Sequence, residues 1–241
     1  MALAVVLLCG FPKAMAQSDK NLFNHLSVGL SVGTDGLIGF DVATPIGNYV
    51  QARLGMSIMP EFSYSTDVDY WYEHHSKQGN VDVKGKLHKS DFKLLFDFFP
   101  FKSLTFHFTT GFFAGGEKLV SIKNTEIPPG VGPGDGLVIG KYLVGFDDEG
   151  IARGEVRVNG FKPYLGIGFG RAVPKKRISV MCDLGVQFWG KPAVYGYDSY
   201  ESKWTKITSE DVDGDDGGAI KTLSKISVWP VINVRVGGLI F

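Results

Sequence analysis

The chain has 241 residues, enough for one domain or two small ones, and its 25 lysine and arginine residues equal its 25 aspartate and glutamate residues. This balance excludes a protein that binds nucleic acid by charge, because no basic excess is available to displace counterions from phosphates. With 44% hydrophobic residues the chain is too apolar for disorder, and its 32 glycines and 18 phenylalanines favour strands and turns over helical bundles.

The N-terminal segment has the features of a secretory signal peptide over residues 1–16. An apolar run covers residues 2–11, and Ala14-Met-Ala16 is a cleavage site of the small-x-small kind. The usual positive segment before the apolar run is missing, since Lys13 follows it, so either the true start lies upstream or the signal is atypical. We expect the exported mature domain to be 17–241.

From residue 24 onward the dominant hydrophobic period is two, which is typical of strands. In the third such segment, for example, Leu54, Met56 and Ile58 alternate with polar or small residues. The pattern predicts eight strands, at 25–33, 38–42, 50–58, 91–98, 104–114, 165–170, 178–188 and 226–241. Long irregular connections are expected at about 64–82, 118–158 and 190–224.

The lengths of the connections alternate along the chain. Setting aside the first hairpin at Thr34-Asp35-Gly36, tight turns alternate with long connections. An up-and-down sheet then has its tight turns at one end and its long loops at the other, as in membrane barrels. The sequence therefore predicts an all-β fold, an eight-stranded antiparallel up-and-down transmembrane β-barrel.

A period of two does not by itself say whether the apolar face of a barrel points inward or outward. A soluble exported ligand-binding barrel would bury that face around a guest, whereas a membrane barrel turns it toward lipid. Here the opposite face carries many glycines and charges of both signs, which suits a crowded polar interior. Aromatic residues near the strand ends are typical of interfacial girdles; they are Tyr49, Phe98, Phe99 and Phe101 at the tight-turn end and Phe62, Tyr164, Phe188, Trp189 and Trp229 at the other. We therefore predict an outward apolar face.

The signal peptide, the eight segments and the aromatic C-terminal strand Val228 to Phe241 resemble the small outer-membrane β-barrel proteins of Gram-negative bacteria. Within them, 163–170 and 183–192 resemble a hairpin that recurs in uncharacterised outer-membrane proteins. The resemblance implies a porin-like cell-envelope protein of the cell outer membrane, in contact with outer-membrane lipid and recognised by the outer-membrane assembly machinery through its C-terminal strand. One departure is that alternation slips at Gly237-Gly238, which a β-bulge would repair.

The interior of an eight-stranded barrel is only wide enough for side chains. We therefore predict a polar network in the lumen, made of Asp41, Arg53, Asp91, Lys93, Asp97, His107, Asp183 and Arg235. The three Lys and Arg side chains are expected to pair with the aspartates and plug the lumen. The alternative interpretation of the same residues is a narrow channel for small solutes.

No residue spacing identifies a catalytic nucleophile, so we expect no enzyme and no cofactor. The acidic segment with Asp211, Asp213 and Asp215 offers alternating carboxylates, a weak calcium signal. It departs from the helix-loop-helix calcium pattern because Asp216 occupies the glycine position and Thr222 the position of the bidentate glutamate. A solvated acidic tip is the simpler interpretation.

Clustered aromatic residues in the long connections predict a surface for binding. They include Tyr70, Trp71, Tyr72, Tyr197 and Trp204. The sequence thus favours a non-enzymatic outer-membrane β-barrel protein with a plugged polar lumen, whose surface loops serve binding or envelope structure. The alternatives are the narrow channel and the soluble ligand-binding barrel, and the residues do not specify the ligand.

Overall fold

A computed structural model of the chain describes residues 23–71, 78–101, 103–127, 136–139, 142–198, 201–208, 210, 221–222 and 225–241. The described residues form one antiparallel sheet of fourteen strands: β1 (Ser27–Gly33), β2 (Ile38–Pro45), β3 (Val50–Trp71), β4 (Gln78–Phe98), β5 (Phe106–Gly115), β6 (Lys118–Asn124), β7 (Gly136–Ile139), β8 (Tyr142–Gly145), β9 (Arg153–Arg157), β10 (Phe161–Phe169), β11 (Ile178–Gln187), β12 (Ala193–Asp198), β13 (Lys203–Ile207) and β14 (Trp229–Leu239). The predicted signal peptide, 1–16, lies outside the described residues.

Eight of the described strands close into a ring. The ring order is β4-β5-β10-β11-β14-β1-β2-β3, and pairing of β3 with β4 completes it. The first and last strands of the chain, β1 and β14, pair antiparallel, so the barrel leaves no open edge in the ring. The predicted eight-stranded antiparallel up-and-down barrel is confirmed. No helix in the described part of the chain is long and apolar enough to cross a bilayer.

The apolar face of the ring is its outer face. On β14 the outward side chains Ile232, Val234 and Val236 are 44–56% exposed, whereas Asn233 and Arg235 between them are buried. Strand alternation puts these two sets on opposite faces. The prediction of an outward apolar face is confirmed, and the alternative of a soluble barrel with an apolar interior is wrong for this structure.

The described parts of the connections at about 64–82, 118–158 and 190–224 include strands, where the sequence had suggested irregular structure. β3 and β4 continue far beyond the ring as a paired ladder that reaches Trp71 and Gln78. β6 and β9 fall in the second connection, and β12 and β13 in the third. The continuation of β3 and β4 was not predicted because the register shift between Met59 and Phe62 interrupts its alternation. The other strands have only four to seven residues, too few for a clear period-two signal.

The additional strands form an extension sheet above one end of the ring, the end that carries the long connections. The upper part of β4 pairs with β6, which is followed by β9, β12 and β13, while β3 pairs with β7 and then β8. β8 also contacts β12, so the extension sheet curls back on itself. Its enclosed face is apolar and includes Val83, Val144, Val156 and Ile207, all of them buried.

The expected aromatic girdles are only partly present. Tyr49, Phe98, Phe101 and Phe188 are exposed as predicted. Phe62 is exposed too, but it pairs with Leu87 and so lies on the opposite face of the sheet from Phe92. The assignment is wrong for Phe99, Tyr164 and Trp189, which are at most 3% exposed. These three side chains have inward positions in the ring or cover its ends, and position along a strand does not distinguish such residues from girdle residues.

The C-terminal strand keeps a regular register without the bulge expected at Gly237-Gly238. The ladder of β14 with β1 runs through to the pair Ser27–Leu239 with no shift. Leu239 therefore turns inward and packs against the buried cluster that contains Met181. Phe241 follows the strand and is 63% exposed, so it does not point into the lumen.

Candidate functional site: the barrel lumen

Arg53 on β3 is the centre of the first lumen cluster. Its Nη2 lies 2.7 Å from Asp97 Oδ1 and its Nη1 lies 2.8 Å from Asp183 Oδ2. Thr109 donates to Asp97 Oδ1 at 2.9 Å, and His107 Nε2 lies 2.9 Å from the other oxygen of Asp183. All five side chains are buried, and they come from four ring strands. One guanidinium thus ties opposite walls of the barrel together by charge-assisted hydrogen bonds.

Arg235 on β14 forms the second cluster with Asp41 on β2. Arg235 Nε lies 2.8 Å from Asp41 Oδ1, and its Nη2 lies 2.7 Å from the same oxygen. Arg235 Nη1 also donates to the Ala172 carbonyl at 2.9 Å, and Nη2 contacts the Ser27 hydroxyl at 3.3 Å. The whole guanidinium is buried and engaged, which fits the five-donor fork of arginine.

The remaining predicted residues lie nearer the extension and have partners that the sequence did not indicate. Lys93 is 3.3 Å from Asp35 Oδ2, and Asp35 also accepts from Asn233 at 2.8 Å. Asp35 had been assigned only to a tight turn. The sequence did not indicate that Asp35 belongs to the lumen network, because turn residues are normally solvated. Only closure of the ring places its side chain in the lumen.

Asp91 is paired with two lysines that sequence reasoning missed. Lys162 Nζ lies 2.7 Å from Asp91 Oδ1, and Lys89 Nζ lies 3.0 Å from Oδ2, an ion pair without hydrogen-bond geometry. Lys89 also donates to Gln187 Oε1 at 3.0 Å. Lys162 directly precedes Pro163, and Lys89 lies in a polar stretch of the sequence. Neither lysine therefore belonged to a clearly alternating segment. Their positions could have been inferred from alternation, since each lysine is an even number of residues from the inward-facing side chains of its own strand.

The buried charges of the ring balance. Among the described ring and turn residues, five buried Lys or Arg side chains (Arg53, Lys89, Lys93, Lys162 and Arg235) face five buried aspartates (Asp35, Asp41, Asp91, Asp97 and Asp183). Charges taken out of water need partners, because an unpaired ion in a low-dielectric interior costs several kcal/mol. This balance satisfies that need without any added ion.

Glycines on the inward face make room for the large side chains of the network. A Cβ built at Gly29 would lie 2.2 Å from Arg235 Cζ, and one at Gly168 would lie 2.5 Å from both His107 Nε2 and Asp183 Oδ1. No side chain larger than hydrogen fits at either place without displacing an ion pair. The Gly-x-Gly pattern of β10 therefore has a packing role in this lumen.

The lumen also has an apolar layer, which was not expected. Leu95, Phe113, Tyr164 and Val231 form a buried cluster between the aspartate-rich clusters. The rings of Phe113 and Tyr164 meet edge to face, with centroids 5.5 Å apart. Leu95 and Phe113 each follow another apolar residue, and these doublets break the alternation that otherwise predicts a polar inward side chain.

The turn between β10 and β11, residues 170–177, folds across the tight-turn end of the barrel. The Ser27 hydroxyl of β1 donates to the Ala172 carbonyl at 2.6 Å, and the Val173 amide donates to Gln51 Oε1 of β3 at 3.1 Å. Around the closed ring β3 is three strands from β10 and four from β11, so the turn reaches across the opening. Ala172 and Val173 are buried with Ala43, and the turn therefore covers this end of the lumen.

The structure describes only some of the aromatic residues that were predicted to form a binding surface. Tyr72 and the acidic residues Asp211, Asp213 and Asp215 lie outside the described residues, as do the side chains of Tyr70 and Trp71. Tyr197 and Trp204 pair edge to face on β12 and β13, with centroids 5.3 Å apart. In the described part of the chain, no group of three or more His, Cys, Asp or Glu side chains is arranged to hold a metal ion.

A ring with an apolar exterior, a charge-paired interior and a covered end defines a closed eight-stranded β-barrel. Two crystal structures have a similar fold, those of Acinetobacter baumannii CarO and CarO2. CarO is 18% identical, with a TM-score of 0.50 over 88% of this chain and 96% of its own. CarO2 is 16% identical, with a TM-score of 0.50 over 90% of this chain and 99% of its own. The comparison confirms the predicted resemblance at the level of the fold. No protein-family profile matches the sequence, and no curated protein matches it significantly.

Proposed function

We propose that this protein is a non-enzymatic β-barrel of the outer membrane, whose closed lumen serves as a rigid anchor for the extension sheet at the cell surface. The proposal rests on one combined observation, an exposed apolar outer wall around an ion-paired interior. Exposing that wall to water would cost free energy, since each Å² of apolar area removed from water contributes about 25 cal/mol. In a bilayer it is the surface that strands need when they span hydrocarbon.

Three features of the lumen support closure over conduction. The clusters around Arg53 and Arg235 cross the lumen, the apolar layer lies between polar clusters, and the turn at Ala172 covers one end. An eight-stranded ring has an interior that side chains fill, whereas conducting porins have about twice as many strands. The extension sheet, rather than a pore, is then the part of the molecule available for interaction with other molecules.

The His107–Asp183 pair supports a structural role over a catalytic one. His107 Nε2 lies 2.9 Å from Asp183, but Asp183 is also held by Arg53, and all three side chains are buried in the ring. A general base must reach its substrate within hydrogen-bond distance. Side chains packed between barrel walls have no such access.

We also propose that the assembly machinery of the outer membrane recognises strand β14. Its outward residues Ile232, Val234 and Val236 form an apolar row, and Phe241 remains exposed beyond the strand end. Replacing Phe241 by serine should lower the folded, membrane-inserted fraction in cells. Refolding of the same variant in detergent should be unchanged, because Phe241 has no place in the packed lumen.

The test of the proposed function is a pair of measurements on one refolded, reconstituted sample. Unboiled protein should migrate differently from boiled protein on a gel, and planar bilayers containing it should show no current above baseline, with a sixteen-stranded porin as the positive control. A stable single-channel current would overturn closure and favour the narrow channel. Recovery of the exported chain as a water-soluble monomer would overturn membrane placement.

A further inference from the structure

The outward face of β4 changes from apolar to basic along its length. In the ring this face carries Phe92, which is 41% exposed, and six residues further toward the extension it carries Lys86 and then Lys84. The register shift beside this region lies in β3, between Met59 and Phe62, so the alternation of β4 is unbroken. The two lysines therefore point to the same side of the sheet as the apolar wall.

Neighbouring strands add further cations to this face. Lys84 pairs across strands with Lys123 of β6, and Lys123 pairs with Arg153 of β9. Residues directly opposite in antiparallel strands share a face, and like charges at such positions are destabilising. Three cations in one row are thus an arrangement that strand stability alone does not favour.

The row is only partly neutralised within the protein. Arg153 is paired with Asp147 at 2.8 Å, and Lys86 is paired with Glu61 at 2.6 Å. Within the described residues neither Lys84 nor Lys123 has an ion-pair partner. The lumen of the same molecule, by contrast, pairs every one of its buried lysines and arginines. Lys84 and Lys86 both act on the Glu61 carboxylate and hold its pKa below the usual value, with the hydrogen bond from Lys86 as the largest cause. One carboxylate does not neutralise the three lysines, so the remaining positive charge is available to an anion from another molecule.

The lysines line a groove of about 360 Å³. Lys84, Lys86 and Lys123 share its wall with Thr125, Ile127 and Ile151, and Glu126 also borders it. This volume lies within the range of roughly 300–1,000 Å³ that small-molecule sites occupy. The groove is therefore large enough for a phosphate together with the sugar that carries it.

The height of the groove above the apolar wall distinguishes between possible lipids. The highest outward apolar residue beside β4 is Ile58 of β3, which is exposed and pairs with Ser90. Strands rise about 3.3 Å per residue and tilt by about 35–45° in membrane barrels, so Lys86 and Lys84 stand roughly 10–15 Å above Ile58. The head-group region of a simple phospholipid is only about 5–8 Å thick on each side. The groove lies above that region, at the level of sugars attached to a lipid.

We propose that the groove lined by Lys84, Lys86 and Lys123 binds a phosphate on the saccharide head group of a glycolipid in the surrounding outer leaflet. This inference rests on the proposed membrane placement. Ammonium groups bind phosphate by charge and hydrogen bonds, and the groove opens on the lipid side of the sheet. The same outward face carries the Arg157 guanidinium 4.7 Å from the Tyr195 ring and 4.9 Å from the Trp204 ring, a surface suited to sugars.

The test uses full-length protein refolded in detergent and immobilised, with rough lipopolysaccharide that retains phosphate on its core sugars as the probe. The variant is K84Q/K86Q/K123Q. The matched control is K175Q/K176Q/R177Q, which removes the same charge from exposed residues at the tight-turn end. We expect the groove variant to bind at least tenfold more weakly than wild type and the control to stay within twofold. The same probe after dephosphorylation should bind wild type and the groove variant equally weakly.

Equal binding of wild type and the groove variant would overturn the proposal, as would an equal loss in the control. Complete displacement of the probe by 1 mM inorganic phosphate would assign the groove to the free ion and also overturn the glycolipid assignment. A lysine-dependent affinity for lipid A without core sugars that matches the affinity for the full probe would place the recognised phosphate on lipid A itself and overturn its assignment to sugars above the head-group region. The heat-dependent gel shift is recorded for every sample. A folded, inserted protein that does not bind the probe refutes only this inference. A protein that does not insert refutes the proposed function.

Discussion

Arg235 and Asp41 form a two-point ion pair across strand β1, with Arg235 Nε and Nη2 both within 2.8 Å of Asp41 Oδ1. The pair joins β14 to β2, and the backbone between them is that of Gly29. The guanidinium lies over this glycine, where a Cβ would be 2.2 Å from Arg235 Cζ. The last strand of the chain is thus tied to the second one through the lumen as well as through the sheet.

Removing the charge of Asp41 should therefore destabilise the barrel strongly. In the Asp41→Asn variant Arg235 remains buried without a counter-charge, and the expected loss is about 3–5 kcal/mol in the free energy of unfolding. Urea titration of the refolded barrel in detergent, followed by tryptophan fluorescence, measures it. The control is Glu61→Gln, which breaks the exposed pair with Lys86 and should cost at most about 1 kcal/mol. A D41N variant as stable as this control would contradict the structural role of the pair.

Adding a methyl group at Gly29 should be costly, because it displaces the guanidinium of Arg235 from Asp41. We expect Gly29→Ala to lose about 1–3 kcal/mol by overpacking. Gly238→Ala is the matched control, since a Cβ at Gly238 meets nothing within 4 Å. The same urea titration compares the two, and similar midpoints for G29A and G238A would show that the lumen is looser than described.

Cys182 should report whether the outer wall of β11 faces lipid. Its side chain is exposed on the outer wall, next in sequence to the buried Asp183. In a bilayer it should not react with a charged maleimide, because the reagent and the thiolate both need water, although it should react once the protein is transferred to denaturant. Both measurements use the mature domain 17–241, in which Cys182 is the single cysteine of the sequence. The comparison is Cys182→Ser/Ser65→Cys, in which the exposed position 65 of the extension should react within minutes. Equal labelling of the two positions in intact bilayers would argue against a membrane-facing wall.

The extension sheet should depend on Glu155. This buried carboxylate is 2.7 Å from Lys118 Nζ and 2.6 Å from Arg157 Nη2, and Arg157 lies against the rings of Tyr195 and Trp204. Glu155→Gln should speed amide hydrogen exchange in β9, β12 and β13 by about tenfold, equivalent to about 1.4 kcal/mol, and leave the ring strands unchanged.

The control for the extension is Glu149→Gln. The carboxylate of Glu149 is exposed and lies 3.7 Å from Arg153 in the same extension, so its loss should leave exchange rates unchanged. If E155Q accelerated exchange in the ring and the extension alike, the two would unfold as one unit. The ring would then not be the independent anchor that the proposed function requires.

The ion pairs in the lumen show which features of the site can be predicted from the sequence. The inward positions of Arg53, Asp97 and Asp183 follow from alternation alone, because a residue between two outward apolar neighbours must point inward. Alternation does not say which partners meet, since pairing depends on the stagger of strands around the ring. Lys93 therefore meets Asp35 of a turn, and Asp91 is held by lysines outside the clear segments.

The strands beyond Ile58 and before Asp91 mark the other limit of prediction. There the alternation continues, since Phe62 and Tyr64 are separated by serine, but the register shift between Met59 and Phe62 changes the face on which the apolar residues lie. On β4 the outward face becomes polar, while the opposite face carries Leu87 and Val83. An alternating pattern that changes face at an irregularity does not show by itself that one strand continues through it.

By itself the sequence determined the number of ring strands and their direction, because these depend on local alternation and on the lengths of the turns. It also determined the outward apolar face, because the opposite face carries glycines and charges of both signs that suit a crowded interior. The tertiary structure decided the partners of the buried charges, the turn that folds across the tight-turn end, and the extension sheet with its lysine groove. Each of these requires residues far apart in the chain to meet, and only closure of the ring and the stagger of its strands determine which residues do so.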